Sequence, residues 1–167
     1  KELINIQEKL HLTFCRNRKK ASIGIYPAEK ITLPIHYKLL PKEKINFRPL
    51  ESTNIMSFDE ILSKNETGKK YAHLLNNLNK YPIFIDDKDK ILSLVPIINS
   101  DETGKIDQET KEFFVECTGV DLNIVNLLSN ILATTFIDME GEIYAMEIKY
   151  HDKTLITPEL KNKEIKI

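Results

Sequence analysis

The sequence has few cysteines and no long apolar segment, and each absence excludes a class of protein. Its two cysteines, Cys15 and Cys117, lie far apart and outside any C-x-x-C pair or Cys/His cluster. This argues against a zinc site or a disulfide framework, and favours free thiols in a reducing, cytoplasmic compartment. No stretch reaches the roughly 18 apolar residues of a transmembrane helix. The start, Lys1-Glu2-Leu3, lacks a signal-peptide core and an initiator Met, so we expect a piece of a longer protein.

Known catalytic motifs are also missing. The chain has no Walker loop, no G-x-G-x-x-G, no H-E-x-x-H and no G-x-S-x-G. The four histidines, His11, His36, His73 and His151, are scattered, and we interpret them as ordinary surface or partly buried residues rather than as catalytic bases. No metal site is predicted.

Composition indicates a globular protein without a strong general affinity for nucleic acid. Of the 167 residues, 41% are hydrophobic and 29% charged, which excludes a disordered or fibrous chain. The net charge is −1, whereas a protein that holds nucleic acid by itself is usually basic. Any contact with nucleic acid is therefore expected to be local, or to be made mainly by other parts of an assembly.

The first 50 residues are predicted to form a helix and a connector. Apolar residues at helical spacing indicate an amphipathic helix over residues 2–18, and the prolines that follow indicate a connector with short extended pieces up to about residue 51. The helix ends in a basic run, Arg16, Arg18, Lys19 and Lys20. This run is either a weak RNA-binding site for phosphates or a solvated helix end.

The middle of the chain is predicted to contain two helices and a hairpin. Ser57 and Glu60 form a capping box that begins a short helix, and a second helix follows over residues 66–79. Two apolar runs, 81–86 and 91–95, flank a four-residue loop and predict a β-hairpin. In that register Asp86 pairs with Ile91, and Phe84 lies beside Ser93 on one face.

A carboxylate on a largely apolar strand is the one feature of the sequence that, taken by itself, suggests a functional site. Residues 113–118 alternate as a strand, which places Phe114, Glu116 and Thr118 on one face and an apolar core face on the other. Carboxylates are seldom buried without a partner. Glu116 is therefore either a salt-bridged or solvent-facing edge residue, or a pocket carboxylate that binds a polar ligand group.

The C-terminal part is predicted to be a helix and a hairpin. Asp121 caps a helix that runs to about Phe136, with seven apolar residues expected to be buried: Ile124, Val125, Leu127, Leu128, Ile131, Leu132 and Phe136. Strands over residues 142–150 and 154–157 follow.

Three stretches in order resemble a known family. They are Tyr81-Pro82-Ile83-Phe84-Ile85-Asp86, Leu92-Ser93-Leu94-Val95-Pro96-Ile97-Ile98-Asn99-Ser100 and Phe114-Val115-Glu116-Cys117-Thr118-Gly119-Val120-Asp121. They are similar to the "YP…D…LS-x-x-PIIN" and "F-[IV]-[ED]-x-TG-x-D" signatures of the B3/B4 editing domain in archaeal/eukaryotic-type phenylalanyl-tRNA synthetase β subunits. Flanking segments, 14–24 and 157–160, resemble the entry to and exit from that domain.

The resemblance implies a fold and a division of the chain. The fold is of the α/β (α+β) class, a layered B3/B4-type domain with mixed β-sheets packed against helices. Residues 1–50 form the N-terminal helix and connector, residues 51–157 the editing domain, and residues 158–167 an exit linker to a following domain.

The resemblance also implies an activity and its residues. The activity is hydrolysis of tyrosine wrongly esterified to phenylalanine tRNA, while Phe-tRNA is spared. The implied catalytic residues are Ser93, Glu116, Thr118 and Asn99, and the implied substrate-binding residues are Phe84, Ser93, Glu116, Thr118 and Ser100. The alternative is a non-catalytic module for tRNA docking or subunit assembly.

The implied partners are phenylalanine tRNA and the synthetase α subunit, in an α2β2 enzyme whose β subunit contains this chain. The fragment alone is expected to be monomeric and cytoplasmic, with no membrane contact. Editing is expected to need no cofactor, and the parent enzyme uses ATP and Mg²⁺ at a site outside this chain.

Overall fold

The computed structural model of the chain describes residues 2–159. Within that range five α-helices and ten strands are formed. The helices are α1 (Glu2–Leu12), α2 (Phe58–Lys64), α3 (Glu66–Tyr71), α4 (Asp101–Gly104) and α5 (Leu122–Asp138). The strands are β1 (Ala21–Pro27), β2 (His36–Leu40), β3 (Asn46–Phe47), β4 (Met56–Ser57), β5 (Tyr81–Ile85), β6 (Ile91–Leu94), β7 (Ile98–Asn99), β8 (Phe113–Gly119), β9 (Met146–Lys149) and β10 (Thr154–Thr157).

The described strands form four sheets. The largest has the order β2-β5-β6-β7, and the other three are the pairs β1-β8, β3-β4 and β9-β10. All of these pairings are antiparallel. The predicted α/β fold, with sheets layered against helices, is confirmed. The prediction of mixed sheets is wrong, because the described strands pair only in the antiparallel sense. None of the helices in the part of the chain that the structure describes is long and apolar enough to cross a membrane.

Strand β1 was missed by the sequence interpretation, which assigned its residues to a connector. All seven of its residues are buried, and it pairs with β8 along its whole length, from Ala21 opposite Gly119 to Pro27 opposite Phe113. Strand β2 likewise pairs with β5. Strand β3 pairs with β4. Three strands from residues 1–50 thus enter sheets with strands from residues 51–157, although the division into domains stays a prediction. Of the predicted exit linker, residues 160–167 lie outside the described residues.

The buried apolar residues form two separate hydrophobic cores. One is built on the four-stranded sheet and on α2 and α3, with Ile45, Phe47, Phe58, Ile61, Tyr71, Leu75, Ile83, Ile85, Leu94, Ile97 and Ile98. The other fills the space between α1, α5 and the β1-β8 pair, with Cys15, Ala21, Ile23, Ile25, Leu128 and Leu132. Phe113, Val115 and Cys117 pack on the second core, so the predicted core face of β8 is confirmed.

The first helix is shorter than predicted. It ends at Leu12 rather than residue 18, and Arg16, Asn17 and Arg18 then take positive φ angles of 49°, 54° and 64°. Three consecutive left-handed residues cannot continue a right-handed helix. The turn reverses the chain so that it enters β1.

The central helices and the hairpin agree with the prediction except at their ends. The capping box of Ser57 and Glu60 is present. Helix α3 passes into a 3₁₀ turn that stops at Leu75, instead of reaching residue 79. In the hairpin Phe84 pairs with Ser93 as predicted, but a bulge makes Ile85 the partner of Ile91.

The predicted pairing of Asp86 with Ile91 is therefore wrong. The Asp86 carboxylate is buried and accepts hydrogen bonds from the backbone N–H groups of Thr32, Lys88 and Lys90. These contacts bend the loop and shift the register.

The C-terminal elements also differ in detail. Asp121 caps α5 as predicted. Of the seven residues predicted to be buried, Leu128 and Leu132 are buried, Leu127 is exposed, and four are only partly buried: Ile124, Val125, Ile131 and Phe136. Strand β9 begins at Met146 rather than residue 142, whereas β10 matches its predicted range.

His11 is a structural residue that joins α1 to β1. It is 1% exposed, its Nε2 accepts the backbone N–H of Ile23 at 2.9 Å, and its Nδ1 lies 3.1 Å from the Glu8 carboxylate. Burial lowers the pKa of His11, with the Glu8 hydrogen bond opposing that effect. The imidazole is therefore neutral in the folded chain near neutral pH.

Replacing His11 tests this linkage. We expect His11→Leu to lower the free energy of unfolding by about 1–3 kcal/mol at pH 7.5, because the Ile23 N–H loses its acceptor. Since the pKa of His11 is lower in the folded than in the unfolded chain, the unfolded chain binds more protons, and the natural chain loses stability as pH falls through the unfolded value of about 6.5.

Urea unfolding at pH 7.5 and 5.5 measures both effects. The variant should lack the His11 component, so its deficit against the natural chain should shrink at pH 5.5. His73→Leu, at an exposed histidine, is the matched control. An equal deficit at the two pH values would contradict the assignment.

Candidate functional site

Alternating residues of β1 and β8 form one face of the site. The register pairs Ser22 with Thr118, Gly24 with Glu116, and Tyr26 with Phe114. Directly opposed residues point to the same side of a sheet, so all six share the face away from the α1/α5 core. The predicted grouping of Phe114, Glu116 and Thr118 on one face is confirmed.

A row of residues across the four-stranded sheet forms the opposite face. Tyr37 pairs with Phe84, Phe84 with Ser93, and Ser93 with Asn99. The four side chains therefore lie side by side across β2, β5, β6 and β7. This row places Phe84, Ser93 and Asn99 together, as the sequence resemblance implied.

Hydrogen bonds from Tyr26 connect the two faces. The Tyr26 hydroxyl donates to Ser93 Oγ at 2.9 Å and lies 3.3 Å from Asn99 Oδ1. The Asn99 amide Nδ2 donates to the backbone carbonyl of Ile25 at 3.3 Å. The sheets are thus held against each other by polar side chains rather than by an apolar layer alone.

A narrow cleft remains between these faces. Its volume is about 20 Å³, enough for about one water molecule. The residues that line it are Arg18, Ser22, Ile23, Ser93, Leu94, Val95, Pro96, Ile98, Asn99 and Glu116. Three predicted site residues, Ser93, Asn99 and Glu116, therefore meet at one cleft.

Glu116 is buried in this cleft without a full set of partners. It is 7% exposed, and its Oε2 has no hydrogen-bond partner within residues 2–159. Burial raises the pKa of the carboxyl to about 8, with a smaller opposing effect of the Gly24 backbone. Among the described residues Glu116 enters no salt bridge, and it does not face water. Neither of the structural explanations for this carboxylate holds, and the carboxyl is mainly protonated at neutral pH.

Gly24 makes room for Glu116. A Cβ atom at this position would lie 2.7 Å from Glu116 Cγ and 2.6 Å from the Tyr26 hydroxyl oxygen. Any residue other than glycine would therefore collide with both side chains. The absence of a side chain at Gly24 leaves room for the Glu116 side chain beside β1.

The other predicted residues lie around the cleft rather than in it. Thr118 Oγ1 is 2.7 Å from Ser22 Oγ, so Thr118 contacts the cleft through Ser22. The Phe84 ring packs edge-on against Tyr37 at 5.2 Å between centroids. Ser100 is buried, and its N–H donates to the Leu92 carbonyl. These roles in binding stay predictions.

Arg18 is turned into the protein instead of toward solvent. Its guanidinium donates to the carbonyls of Pro96 and Ile97 at 3.2 and 2.7 Å, and lies 4.3 Å from the centroid of the Tyr71 ring. It also pairs with Glu8 at 3.4 Å. Arg18 is therefore occupied within the fold, and the predicted RNA contact rests on Arg16, Lys19 and Lys20.

Sequence reasoning missed the residues that β1 contributes. Ser22, Gly24 and Tyr26 alternate with the buried Ala21, Ile23 and Ile25, the period-two pattern of a strand. That alternation was the available signal, but the neighbouring prolines obscured it.

No family model matches the chain. Over its whole length it is 40% identical to the phenylalanine–tRNA ligase β subunit of Thermococcus kodakarensis, of which it covers 29%. It is 39% identical, over 99% of its length, to the β subunit of Pyrococcus furiosus, of which it covers 30%. A crystal structure of an N-terminal fragment of the Pyrococcus horikoshii phenylalanyl-tRNA synthetase β subunit superimposes with a TM-score of 0.92 at 39% identity, covering 96% of this chain and 46% of that one.

The chain is a homologue of the phenylalanine–tRNA ligase β subunits. It spans less than a third of the length of the two β subunits compared above. The resemblance that its motifs indicated, and the layered fold expected from it, are both confirmed.

The raised pKa of Glu116 predicts a pH-dependent loss of stability. The carboxyl titrates at about 8 in the folded chain and near 4.5 when unfolded, so the folded chain binds more protons between these values. The free energy of unfolding attributable to Glu116 therefore falls as pH rises from about 4.5 to about 8. We expect Glu116→Gln to gain stability relative to the natural chain over this range.

Urea unfolding at pH 5, 7 and 8.5 measures that difference. Glu112→Gln, at an exposed glutamate four residues away, controls for loss of a carboxylate on the same chain segment. A constant difference between Glu116→Gln and the natural chain at all three pH values would show that Glu116 is not desolvated.

The close approach at Gly24 gives a second prediction. Gly24→Ala should destabilise the chain by about 1–3 kcal/mol, the usual cost of overpacking. In a Glu116→Ala background the contact with Cγ is gone, so the same substitution should cost less. Denaturant unfolding of the single and double variants measures the coupling, and an equal cost in both backgrounds would contradict the contact.

Proposed function

We propose that this chain is the editing module of a phenylalanine–tRNA ligase, and that it hydrolyses the ester of tyrosine mischarged on phenylalanine tRNA. The observation that carries the proposal is the unpartnered, buried carboxyl oxygen of Glu116 in a cleft beside Ser93. A polar atom buried without a partner is costly in a folded protein, and a catalytic role is one reason such an atom is retained. The β-subunit relatives supply the enzyme context.

The chemistry explains why such a site is needed. Tyrosine is phenylalanine with one added hydroxyl. A synthetic site shaped for an apolar ring rejects an added hydroxyl by only about 10²-fold. A second site that selects for the hydroxyl then removes the errors, and its selectivity has to come from a polar group that phenylalanine cannot satisfy.

Glu116 is that group in this proposal. The tyrosyl hydroxyl donates a hydrogen bond to the unpartnered carboxyl oxygen. Phenylalanine leaves that oxygen buried and unpaired, at a cost of about 1–3 kcal/mol. A charge-assisted hydrogen bond to an ionised Glu116 is the simplest form of this contact. The raised pKa favours a neutral carboxyl instead, whose carbonyl oxygen accepts the phenol proton while its own O–H donates elsewhere.

Hydrolysis of the ester needs little more than positioning. The aminoacyl ester is activated, so a held water and a donor for the developing oxyanion suffice. Ser93 is the donor that lines the cleft, and Ser22 with Thr118 forms a second hydroxyl pair at its edge. The backbone N–H groups of Ser100 and Asp101 donate to other carbonyls and do not serve this purpose. A hydroxyl of the tRNA ribose assists the attack.

Substrate entry requires the cleft to widen. At about 20 Å³ it holds a water molecule and not a tyrosyl side chain. The aromatic pair of Phe84 and Tyr37 lies on the same sheet face as Ser93, where the tyrosyl ring would pack. In this proposal the pocket opens beside Phe84 and Tyr37, and the Tyr26–Ser93 contact between the two faces is kept.

The wider assembly follows from the same proposal. The chain acts within a β subunit that joins an α subunit in an α2β2 enzyme of the cytoplasm, and ATP and Mg²⁺ are used elsewhere in that enzyme. Arg16, Lys19 and Lys20 contact tRNA phosphates weakly. The module comprises residues 51–157, with residues 1–50 leading into it and residues 158–167 leading out.

The decisive experiment is Glu116→Ala in the complete α/β enzyme. Deacylation of Tyr-tRNA and Phe-tRNA, both on phenylalanine tRNA, is followed with the natural enzyme and the variant. We expect the preference for Tyr-tRNA to fall by about 5- to 150-fold, the equivalent of 1–3 kcal/mol.

Glu112→Ala is the matched control, because it removes an exposed carboxylate from the same part of the chain. If Glu116→Ala leaves both deacylation rates and their ratio unchanged, Glu116 does not recognise the tyrosyl hydroxyl. A natural enzyme that deacylates neither substrate would instead favour the alternative, a non-catalytic module for tRNA docking or subunit assembly.

A further inference from the structure

Tyr26 is a fully buried polar residue that contacts two of the residues lining the cleft, and it has no part in the reaction proposed above. It is 0% exposed, and its hydroxyl contacts Ser93 Oγ at 2.9 Å and Asn99 Oδ1 at 3.3 Å. Burial raises the pKa of Tyr26 well above its ordinary value, so the phenol keeps its proton. A buried donor held against two cleft residues has a defined hydrogen-bonding direction.

We propose that Tyr26 is a positioning residue that keeps the Ser93 hydroxyl proton directed into the cleft, toward the carbonyl oxygen of the ester. The inference rests on the proposed editing function and extends it to a residue outside the predicted site. Tyr26 touches no reacting atom. It acts by deciding which hydrogen bonds Ser93 makes.

The role of Tyr26 depends on which hydroxyl donates in its hydrogen bond with Ser93. The single phenol proton is shared between two acceptors, Ser93 Oγ at 2.9 Å and Asn99 Oδ1 at 3.3 Å, so Ser93 accepts from Tyr26. The Ser93 hydroxyl therefore retains its own proton for another acceptor. Because Ser93 lines the cleft, that acceptor is a group within the cleft.

Asn99 supplies the competing acceptor. Its Nδ2 donates to the Ile25 carbonyl, which turns its Oδ1 toward the Tyr26 hydroxyl. Asn99 is also the cross-strand partner of Ser93. Without the phenol, Oδ1 would be an unsatisfied acceptor beside Ser93, and the serine proton would turn to it and away from the substrate.

The chemical consequence is the loss of one oxyanion donor. In the hydrolysis a water oxygen bonds to the ester carbon, the bond from that carbon to the ribose oxygen breaks, and the ribose oxygen takes a proton that the water gives up. The Ser93 hydroxyl donates to the carbonyl oxygen while negative charge develops there, and it forms no covalent bond. Misdirecting this donor slows the chemical step and leaves binding of the tyrosyl ring to Glu116 intact.

Tyr26→Phe in the complete enzyme isolates the hydroxyl, because the ring is retained. We expect the single-turnover rate for Tyr-tRNA at saturating enzyme to fall by about tenfold, less than the 10²–10³-fold typical for outright removal of an oxyanion donor. The enzyme concentration at half-saturation should change by less than about twofold, since the substrate-binding contacts remain.

A double-mutant cycle separates positioning from general loss of structure. Ser93→Ala alone should lower the rate by more than Tyr26→Phe, and adding Tyr26→Phe to Ser93→Ala should produce no further loss. Tyr71→Phe is the matched control, because Tyr71 is also buried but its hydroxyl has no hydrogen-bond partner. That control should keep the natural rate, and urea unfolding of each variant verifies that it is folded.

The outcomes are distinguishable from failure of the proposed function. If the natural enzyme does not deacylate Tyr-tRNA, the editing proposal itself fails. If it does, an unchanged rate in Tyr26→Phe overturns the inference. So does a Ser93→Ala variant with the natural rate, or a loss in the double variant equal to the product of the two single losses, because Tyr26 would then act independently of Ser93.

Discussion

The pairing of β1 with β8 is the interaction on which the site depends. One side of this two-stranded sheet closes the α1/α5 core with Ile23, Ile25, Val115 and Cys117. The other side carries Glu116 and Tyr26 toward the four-stranded sheet. Because side chains alternate along a strand, a shift of one residue in this pairing would exchange core and cleft residues on β8. The apolar core therefore fixes the register that sets the positions of the polar groups.

The cleft is a place where the usual rule of satisfied polar groups is broken. Several buried polar residues are fully bonded: Asp86 accepts three backbone N–H groups, and His11 links Glu8 to Ile23. The Tyr71 hydroxyl and Asn130 Oδ1, like Glu116, have a buried atom without a hydrogen-bond partner among the described residues. Glu116 keeps one oxygen without a partner. Natural sequences keep such locally unfavourable groups mainly at functional sites, where the surrounding fold offsets their cost.

The burial on which the proposed selectivity of Glu116 depends also sets its protonation. Desolvation disfavours the charged form and raises the pKa to about 8, so the closed cleft holds a neutral acid. A neutral carboxyl both donates and accepts, which suits a phenol and a water in one small space. Arg18, the cationic residue lining the cleft, is bound by two backbone carbonyls and by Glu8, which leaves Glu116 without a salt-bridge partner.

Local pattern was sufficient for much of this protein. The alternation in residues 113–118 placed Glu116 with Thr118, the hairpin pattern placed Phe84 beside Ser93, and the capping signals at Ser57 and Asp121 marked the starts of helices. Each depends on neighbours in the chain, whose geometry is set by residue type. Tertiary structure decided the rest. From the sequence, β1 was interpreted as a connector, because its pairing with β8 is a long-range contact. Arg18 was interpreted as a solvent-facing cation, because the carbonyls of Pro96 and Ile97 that it binds are distant in the chain. The role of Tyr26 depends on the second sheet, which brings Ser93 and Asn99 against its hydroxyl. These contacts join residues about 70 or more positions apart, and only the packing of the two sheets brings them together.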